Sequence, residues 1–461
     1  MWNELSKVRF QQRFVIALAI FFIALAFRTL IAYLKYSSVG SFIGDIDDFL
    51  YYQTAARMSD SYLRVFADST DLFWCFSLGY PLILSLLFKV FGADPIVAVG
   101  TNIFLGSLTV SLFYLFAERI LHGKFAAVSA AGMLLVLPVH IWDNIMILSD
   151  TISLFFLLSA SVFYFRALRS KKSLDLCLFY LFVALGVLVR YEGLLLFVVL
   201  GVHAFMTSRG NLKGLIVRWE TVFGVLLLFA LMVPQLFYNA THHGEPFVTG
   251  YTYWNGIDYS PAYSPTIPVT VVNYWNPIMG LMFMREIFQQ LLYHLFSPQF
   301  LSPLLIFWVI AGSYSLLSSH SRRQETIFLS LWFAVWILLY SLYYPGTFLR
   351  YTLIISLAPL LLASEGISHV GVWITENRKI SRPAIGTSIS ILALLATIMP
   401  QAYLDCVHVT RKRFWFMAEI DSARWIGVGL GASFDLIFSI FVAVMILTGT
   451  IAIAVKLKQC R

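Results

Sequence analysis

Charge is what this chain has least of. Of its 461 residues only 12% are Asp, Glu, Lys or Arg, about half of the roughly 25% found in water-soluble domains. A chain of this length would otherwise suggest about three such domains, and so little charge cannot cover their surfaces. A soluble enzyme, a disordered protein and a nucleic-acid module are excluded together. Alternation is missing as well: the apolar residues, 59% of the chain, arrive in unbroken blocks rather than at every second position, which excludes an outer-membrane barrel. Cysteine is sparse. Cys75, Cys177, Cys406 and Cys460 form no CxxC pair and show no metal-ligand spacing, so no metal site is read from them. What remains is an all-α polytopic membrane protein.

Apolar blocks long enough to cross about 30 Å of hydrocarbon predict about twelve transmembrane helices. They fall at Phe14–Tyr36, Pro95–Glu118, Lys124–Ile141, Leu148–Arg166, Ser173–Arg190, Gly193–Thr207, Arg218–Tyr238, Phe300–Ser318, Thr326–Tyr343, Arg350–Ser364, Ile385–Tyr403 and Leu430–Lys456. The first is too long for the core of a signal peptide and is expected to stay as a span. Basic residues set the orientation. With the N-terminus inside, 20 of the 32 Lys and Arg fall on cytoplasmic ends and loops, although Arg411, Lys412 and Arg413 then fall outside. Both termini are thus expected to be cytoplasmic. The long loops, 37–94, 239–299 and 401–429, are expected outside. Within the first of them, 45–58 and 80–91 carry helical apolar stripes too short or too polar to span, and read as helices lying on the membrane surface. The middles of the blocks look nearly free of charge. The cytoplasmic loops are short, basic and nearly without acids.

The densest polar signal comes directly after the first span: Gly44-Asp45-Ile46-Asp47-Asp48-Phe49-Leu50-Tyr51-Tyr52. Two readings stand for these acids. They offset a helix dipole as N-cap and first-turn residues, or one of them is a general base in a site partly screened from water, with Tyr51 one turn along to orient it or the substrate. Asp150 and the Arg190/Glu192 pair are ionisable groups at block ends, which in a membrane protein suggest function, although Arg190 and Glu192 also read as a pair that neutralises itself. His242 and His243 stand beside Glu245 on a loop, but adjacent histidines point apart and no third ligand has suitable spacing. The aromatic run Tyr251, Tyr253, Trp254, Tyr259, Tyr263, Tyr274 and Trp275 reads either as stacking surface for sugars or as an interfacial belt.

Taken in order, these motifs resemble a known family. Asp47-Asp48-x-x-Tyr51 with Ala55-Ala56-Arg57-Met58 looks like the Asp-Glu-x-x-Tyr motif opening the first external loop of C-type (GT-C) glycosyltransferases, the group holding protein O-mannosyltransferases and bacterial aminoarabinose transferases. Gly79-Tyr80-Pro81-Leu82-Ile83-Leu84 through Gly92, and Tyr114 to Arg119, are similar to that family's second surface helix and second span. Leu148-Ser149-Asp150, Arg190-Tyr191-Glu192-Gly193, Asn239 with Gly244-Glu245-Pro246, and Arg350-Tyr351 continue the match.

The resemblance covers about residues 14–365 and implies a catalytic module over 1–365, leaving 366–461 without an assigned role. It departs in having Asp-Asp for Asp-Glu, Tyr238 where many relatives have Arg, and Leu78-Gly79-Tyr80 where a Lys often precedes the Pro. The resemblance implies inverting transfer of a sugar from a polyprenyl- or dolichyl-phosphate carrier to an acceptor on the extracytoplasmic face of the cell membrane or endoplasmic reticulum, without a cofactor. Asp47 and Asp48 are then the catalytic acids. Asp45, Tyr51, Asp150, Arg190, Glu192, His243, Arg350 and Tyr351 contact substrate, Arg350 holding the departing phosphate because guanidinium pairs with it through two hydrogen bonds. The partners implied are the lipid carrier, an acceptor of unknown class and membrane lipid, with no nucleic acid. A transporter or lipid flippase, or an inactive partner subunit, is the alternative.

Overall fold

A computed structural model describes residues 2–43, 46–62, 77–121, 123–207, 219–247, 304–319, 322–342, 352–377 and 383–410. Every regular element among them is helical. In chain order these are α1 (Trp2–Val39), α2 (Ile46–Asp60), α3 (Gly79–Phe91), α4 (Pro95–Ile120), α5 (Lys124–Leu135), α6 (Pro138–Ile145), α7 (Asp150–Ser170), α8 (Ser173–Val189), α9 (Leu194–Thr207), α10 (Trp219–His243), α11 (Leu304–Ser318), α12 (Arg323–Leu342), α13 (Thr352–Asn377) and α14 (Pro383–Thr410), with a single 3-10 turn, Tyr191–Gly193, before α9. Each of the first eleven predicted spans overlaps described helix, although 218, 300–303, 343 and 350–351 lie outside the described residues, as does the twelfth span, 430–456. Five described helices are long and apolar enough to cross a membrane, six with the bent pair α5–α6. Their lipid-side residues are large and apolar: Phe14, Phe22 and Tyr33 on α1, and Leu226, Phe229 and Phe237 on α10, are all exposed.

Helix ends follow local chemistry. Asp94 caps α4 by accepting the Ile96 amide at 2.8 Å, with Pro95 in the first turn, where its missing N–H costs nothing. The third span is not one helix. Leu137, before Pro138, is extended at φ −66°, ψ 116°, as a residue preceding proline must be, and α5 and α6 meet at 55°. The single helix expected over Lys124–Ile141 is thereby corrected to two helices bent at Pro138.

Glycine sets two close approaches. A Cβ on Gly312 would meet the Leu362 carbonyl and one on Gly366 the Trp308 carbonyl, so α11 and α13 pack backbone to backbone in the small-residue manner of membrane helices. A Cβ on Gly79 would overlap the Leu188 carbonyl, which seats the start of α3 on the end of α8. That junction is sewn by hydrogen bonds: Ser77 Oγ donates to the Val189 carbonyl, and the Leu78 amide donates to Gln235 Oε1 at 2.7 Å. Gln235 in turn donates to Asn239 at 2.9 Å, and Asn239 to the Pro246 carbonyl at 3.1 Å. The surface helices α2 and α3 are thus fastened to one end of the bundle, packed on each other through Tyr51 and Tyr80, whose rings meet edge to face at 5.0 Å.

Buried ionisable and polar groups stand within the bundle, most of them at or near the ends of the predicted blocks. Arg28 and Lys35 on α1, His140, Asp143 and Asn144 on α6, and Glu365 on α13 are all buried.

Candidate functional site

Asp47 and Asp48 occupy the first turn of α2, where the unsatisfied amides of a helix start favour negative charge. Burial separates their roles. Asp48 has no exposed surface and its Oδ1 accepts the Ile147 amide at 3.1 Å, while Asp47 is 9% exposed. The carboxylate of Asp48 also interacts with the Lys35 ammonium. Lys35 Nζ donates to the Ile145 carbonyl at 3.2 Å and the Phe42 carbonyl at 3.3 Å, lies 2.7 Å from Met146 Sδ, and sits over the Trp142 ring at 5.6 Å.

The Tyr51 hydroxyl lies 3.0 Å from Ser149 Oγ, 98 residues away. Burial pushes its phenol well above the usual tyrosine range, with the negative charges of Asp47 and Asp150 adding to the shift and Arg190 opposing it. Tyr51 therefore stays a neutral hydroxyl throughout the physiological range. Tyr80 on α3, likewise raised by burial, donates to Asn102 at 3.3 Å, and Asn102 donates to the Met146 and Leu148 carbonyls at 2.7 and 3.0 Å.

The second half of the site begins where α7 starts. Asp150 Oδ1 pairs with Arg190 Nη1 at 2.8 Å, and Arg190 meets Glu192 through two bonds, Nη2 to Oε1 at 2.8 Å and Nε to Oε2 at 3.2 Å. The three side chains are only 8–17% exposed. Arg190 can reach both acids because it is an extended residue between α8 and the 3-10 turn. Its Nη1 also lies 3.4 Å from Ser149 Oγ, so one serine joins Tyr51 to Arg190. The Oδ2 atom of Asp150 is buried and has no hydrogen-bond partner among the described residues.

Of the residues read from sequence, Asp47, Asp48, Tyr51, Asp150, Arg190 and Glu192 are thus drawn to one end of the bundle. Asp45, Arg350 and Tyr351 lie outside the described residues, as does the side chain of His243 at the end of α10. The site also holds residues that sequence reading did not single out. Lys35 and Asn102 lie in largely apolar stretches of the sequence, and Ser149 stood within the noted Leu148-Ser149-Asp150 motif without being given a role. Arg190 and Glu192 are more than the self-neutralising pair they resembled, since the same guanidinium serves Asp150.

The other end is not short of acid. Arg13 pairs with Glu118 at 2.8 Å, Arg166 with Asp175 at 3.1 Å and Arg169 with Glu325 at 3.4 Å, and Glu220 accepts from Ser173 at 2.6 Å. These acids lie within helix termini rather than in the loops, which is why the loops read as basic. Also at this end a hollow of about 360 Å³ between α11 and α13 is lined by Ser315, Ser318, Ser319, Glu365, Ser368 and His369, with Ser315 donating to Glu365 at 3.0 Å.

Comparison with known proteins agrees with this architecture. A family profile described as dolichyl-phosphate-mannose-protein mannosyltransferase matches residues 77–238, the stretch from α3 to α10 that includes Asp150, Arg190 and Glu192. A search of curated proteins finds no match. Among solved structures, the oligosaccharyltransferase AglB from Archaeoglobus fulgidus, in complex with an inhibitory peptide and a dolichol-phosphate, superposes with a TM-score of 0.53 at 15% identity, covering 86% of this chain and 56% of that one. ArnT from Cupriavidus metallidurans in the apo state gives 0.50 at 12% identity, covering 88% and 75%. The chain therefore spans little more than half the length of AglB. At such identities the likeness is one of fold: this all-α polytopic membrane protein has the architecture of the GT-C glycosyltransferases, and the protein O-mannosyltransferase and aminoarabinose-transferase group is the part of that superfamily it resembles.

Proposed function

We propose that the protein is an integral-membrane glycosyltransferase that takes a sugar from a polyprenyl- or dolichyl-phosphate carrier and passes it, with inversion, to an acceptor on the extracytoplasmic face. The observation that carries this reading is the gathering of Asp47, Asp48, Tyr51, Asp150, Arg190 and Glu192 at one end of a GT-C-like bundle. AglB, which shares the fold, was solved with a dolichol-phosphate.

The chemistry needs a base for the acceptor proton, and Asp47 is assigned that role. It is less buried than Asp48, whose carboxylate is committed to the Ile147 amide and to Lys35. The acceptor oxygen attacks the sugar's anomeric carbon, the bond to the carrier phosphate breaks with its electron pair on phosphate oxygen, and Asp47 takes the acceptor proton. Inversion follows because the displacement is direct. The departing phosphate gains charge as the bond breaks, and a cation aimed at it stabilises the transition state more than the ground state. Arg350 is assigned that role. Arg190, clamped by two carboxylates, instead orders Asp150 and Glu192 around the substrate.

A nucleotide sugar fits less well. Its diphosphate normally calls for a carboxylate-held metal or a Gly-rich turn at a helix start, and the basic end of the bundle offers acids already paired with arginine. The test is reconstitution with a panel of radiolabelled polyprenyl-phosphate sugars beside nucleotide sugars. Transfer or hydrolysis of a carrier-linked sugar is expected. Robust turnover of a nucleotide sugar without lipid carrier, or solute movement without sugar transfer, overturns the reading.

A further inference from the structure

Arg28 lies nine residues before the C-terminal end of the span Gln11–Ser37, about 14 Å along the helix at ~1.5 Å per residue, and has no exposed surface. A guanidinium at that depth costs several kcal/mol unless its donors are held. Its Nε donates to Asn144 Oδ1 at 2.8 Å and its Nη2 lies 2.9 Å from His140 Nδ1. Since arginine can only donate, Nδ1 is the acceptor of that bond. Both partners stand on α6, one turn apart, and a planar fork bridges them where a lysine would reach one.

Asn144 is itself fixed. It donates to Thr151 Oγ1 at 3.2 Å and to the His140 carbonyl. A Cβ on Gly106 of α4 would overlap the Asn144 amide, so α4 is bare where that side chain passes.

The importance of α6 lies in the segment it carries at its C-terminal end. Residues 146–149 are not helical, and this four-residue connection to α7 supplies much of the site's framework. The Ile147 amide holds Asp48, the Met146 and Leu148 carbonyls accept from Asn102, and Ser149 Oγ joins Tyr51 to Arg190. Only its last residue takes part in a helical bond, the Ser149 carbonyl accepting the Ser153 amide at 3.0 Å, so the position of 146–148 depends on those partners and on α6, which meets α5 at 55°.

We propose that Arg28 is a positioning residue: it clamps α6 from inside the bundle and so sets residues 146–149 against Asp48, Tyr51 and Arg190. The consequence for turnover rests on the transferase reading, whereas the consequence for the backbone does not. Hydrogen–deuterium exchange of the purified protein in detergent tests the backbone directly. In Arg28→Gln, exchange of peptides covering 145–149 should rise about tenfold or more, while peptides from α11 and α13 stay as in the unaltered protein. Arg28→Lys, which keeps charge and one donor, should recover part of that protection, and it carries the test if Arg28→Gln does not fold.

For turnover, with polyprenyl-phosphate-linked radiolabelled mannose as probe, kcat should fall on the order of 10²-fold, the scale of an ångström-level misplacement, with KM changing less than about threefold, a loss felt in the transition state alone. Adding Arg28→Gln to Asp48→Asn should lower the rate little further than Asp48→Asn alone, because both act through the same contact. Unchanged exchange at 145–149 in folded Arg28→Gln overturns the proposal, as does exchange that rises equally throughout the bundle. If the unaltered protein turns over no carrier sugar, the transferase reading fails and the exchange result still decides the role of Arg28.

Discussion

The two ends of the helix bundle solve the same electrostatic problem differently. At the basic end three acids meet arginines whose side chains are largely in solvent: Arg13 with Glu118 (51% and 9% exposed), Arg166 with Asp175 (46% and 3%), Arg169 with Glu325 (57% and 10%). Exposed pairs of this kind contribute about 0–1 kcal/mol each. At the other end Asp47, Asp48, Asp150 and Glu192 gather with Lys35 and Arg190, all largely buried, and Arg190 is shared between two carboxylates. Pairs that only neutralise do not need that arrangement. Among the described residues these buried acids outnumber the cations beside them, and clusters of this kind are characteristic of functional sites. On the proposed reading, charge at the basic end orients and anchors, while charge at the α2 end serves chemistry.

Substitution can break that contrast in graded steps. The largest effect is expected for Asp47→Asn, which keeps shape and removes the base: sugar transfer should fall on the order of 10²- to 10⁴-fold while melting in detergent is nearly unchanged. Arg190→Gln should come next and should act on stability. Leaving Asp150 and Glu192 together without their shared cation is expected to cost roughly 3–5 kcal/mol, read as a lowered melting temperature, whereas Arg166→Gln at the basic end should cost no more than about 1 kcal/mol. Equal losses from the two arginines would erase the distinction between the ends. Gly106→Ala should destabilise by about 1–3 kcal/mol through overpacking against Asn144. The smallest effect belongs to Tyr51→Phe, which loses the hydroxyl contact with Ser149 for about 1 kcal/mol, about fivefold in rate if the transition state feels all of it.

The helices were legible because lipid imposes a length and an apolar content that hydropathy reads directly. The surface helices α2 and α3 were legible from the same stripes being too short to span. Pro138 was not read as a break, since an apolar block with one proline still reads as a block until the extended Leu137 separates its halves. The acids of α2 stood out by their density. Arg28 and Lys35 did not, because each is a lone cation in an apolar stretch and its meaning lies in partners more than 100 residues away. Likewise Arg190 and Glu192 announced themselves as neighbours, but nothing local revealed that Asp150, 40 residues earlier, shares the same guanidinium.

The central claim is that chemistry resides at the α2 end, with Asp47 as its base. Single-turnover transfer from a polyprenyl-phosphate sugar in proteoliposomes, run side by side for the unaltered protein, Asp47→Asn and Arg166→Gln, tests it most directly. The account predicts transfer in the unaltered protein, near-equal transfer in Arg166→Gln, and loss of at least about a hundredfold in Asp47→Asn with the donor still bound. Near-normal transfer by Asp47→Asn would contradict it.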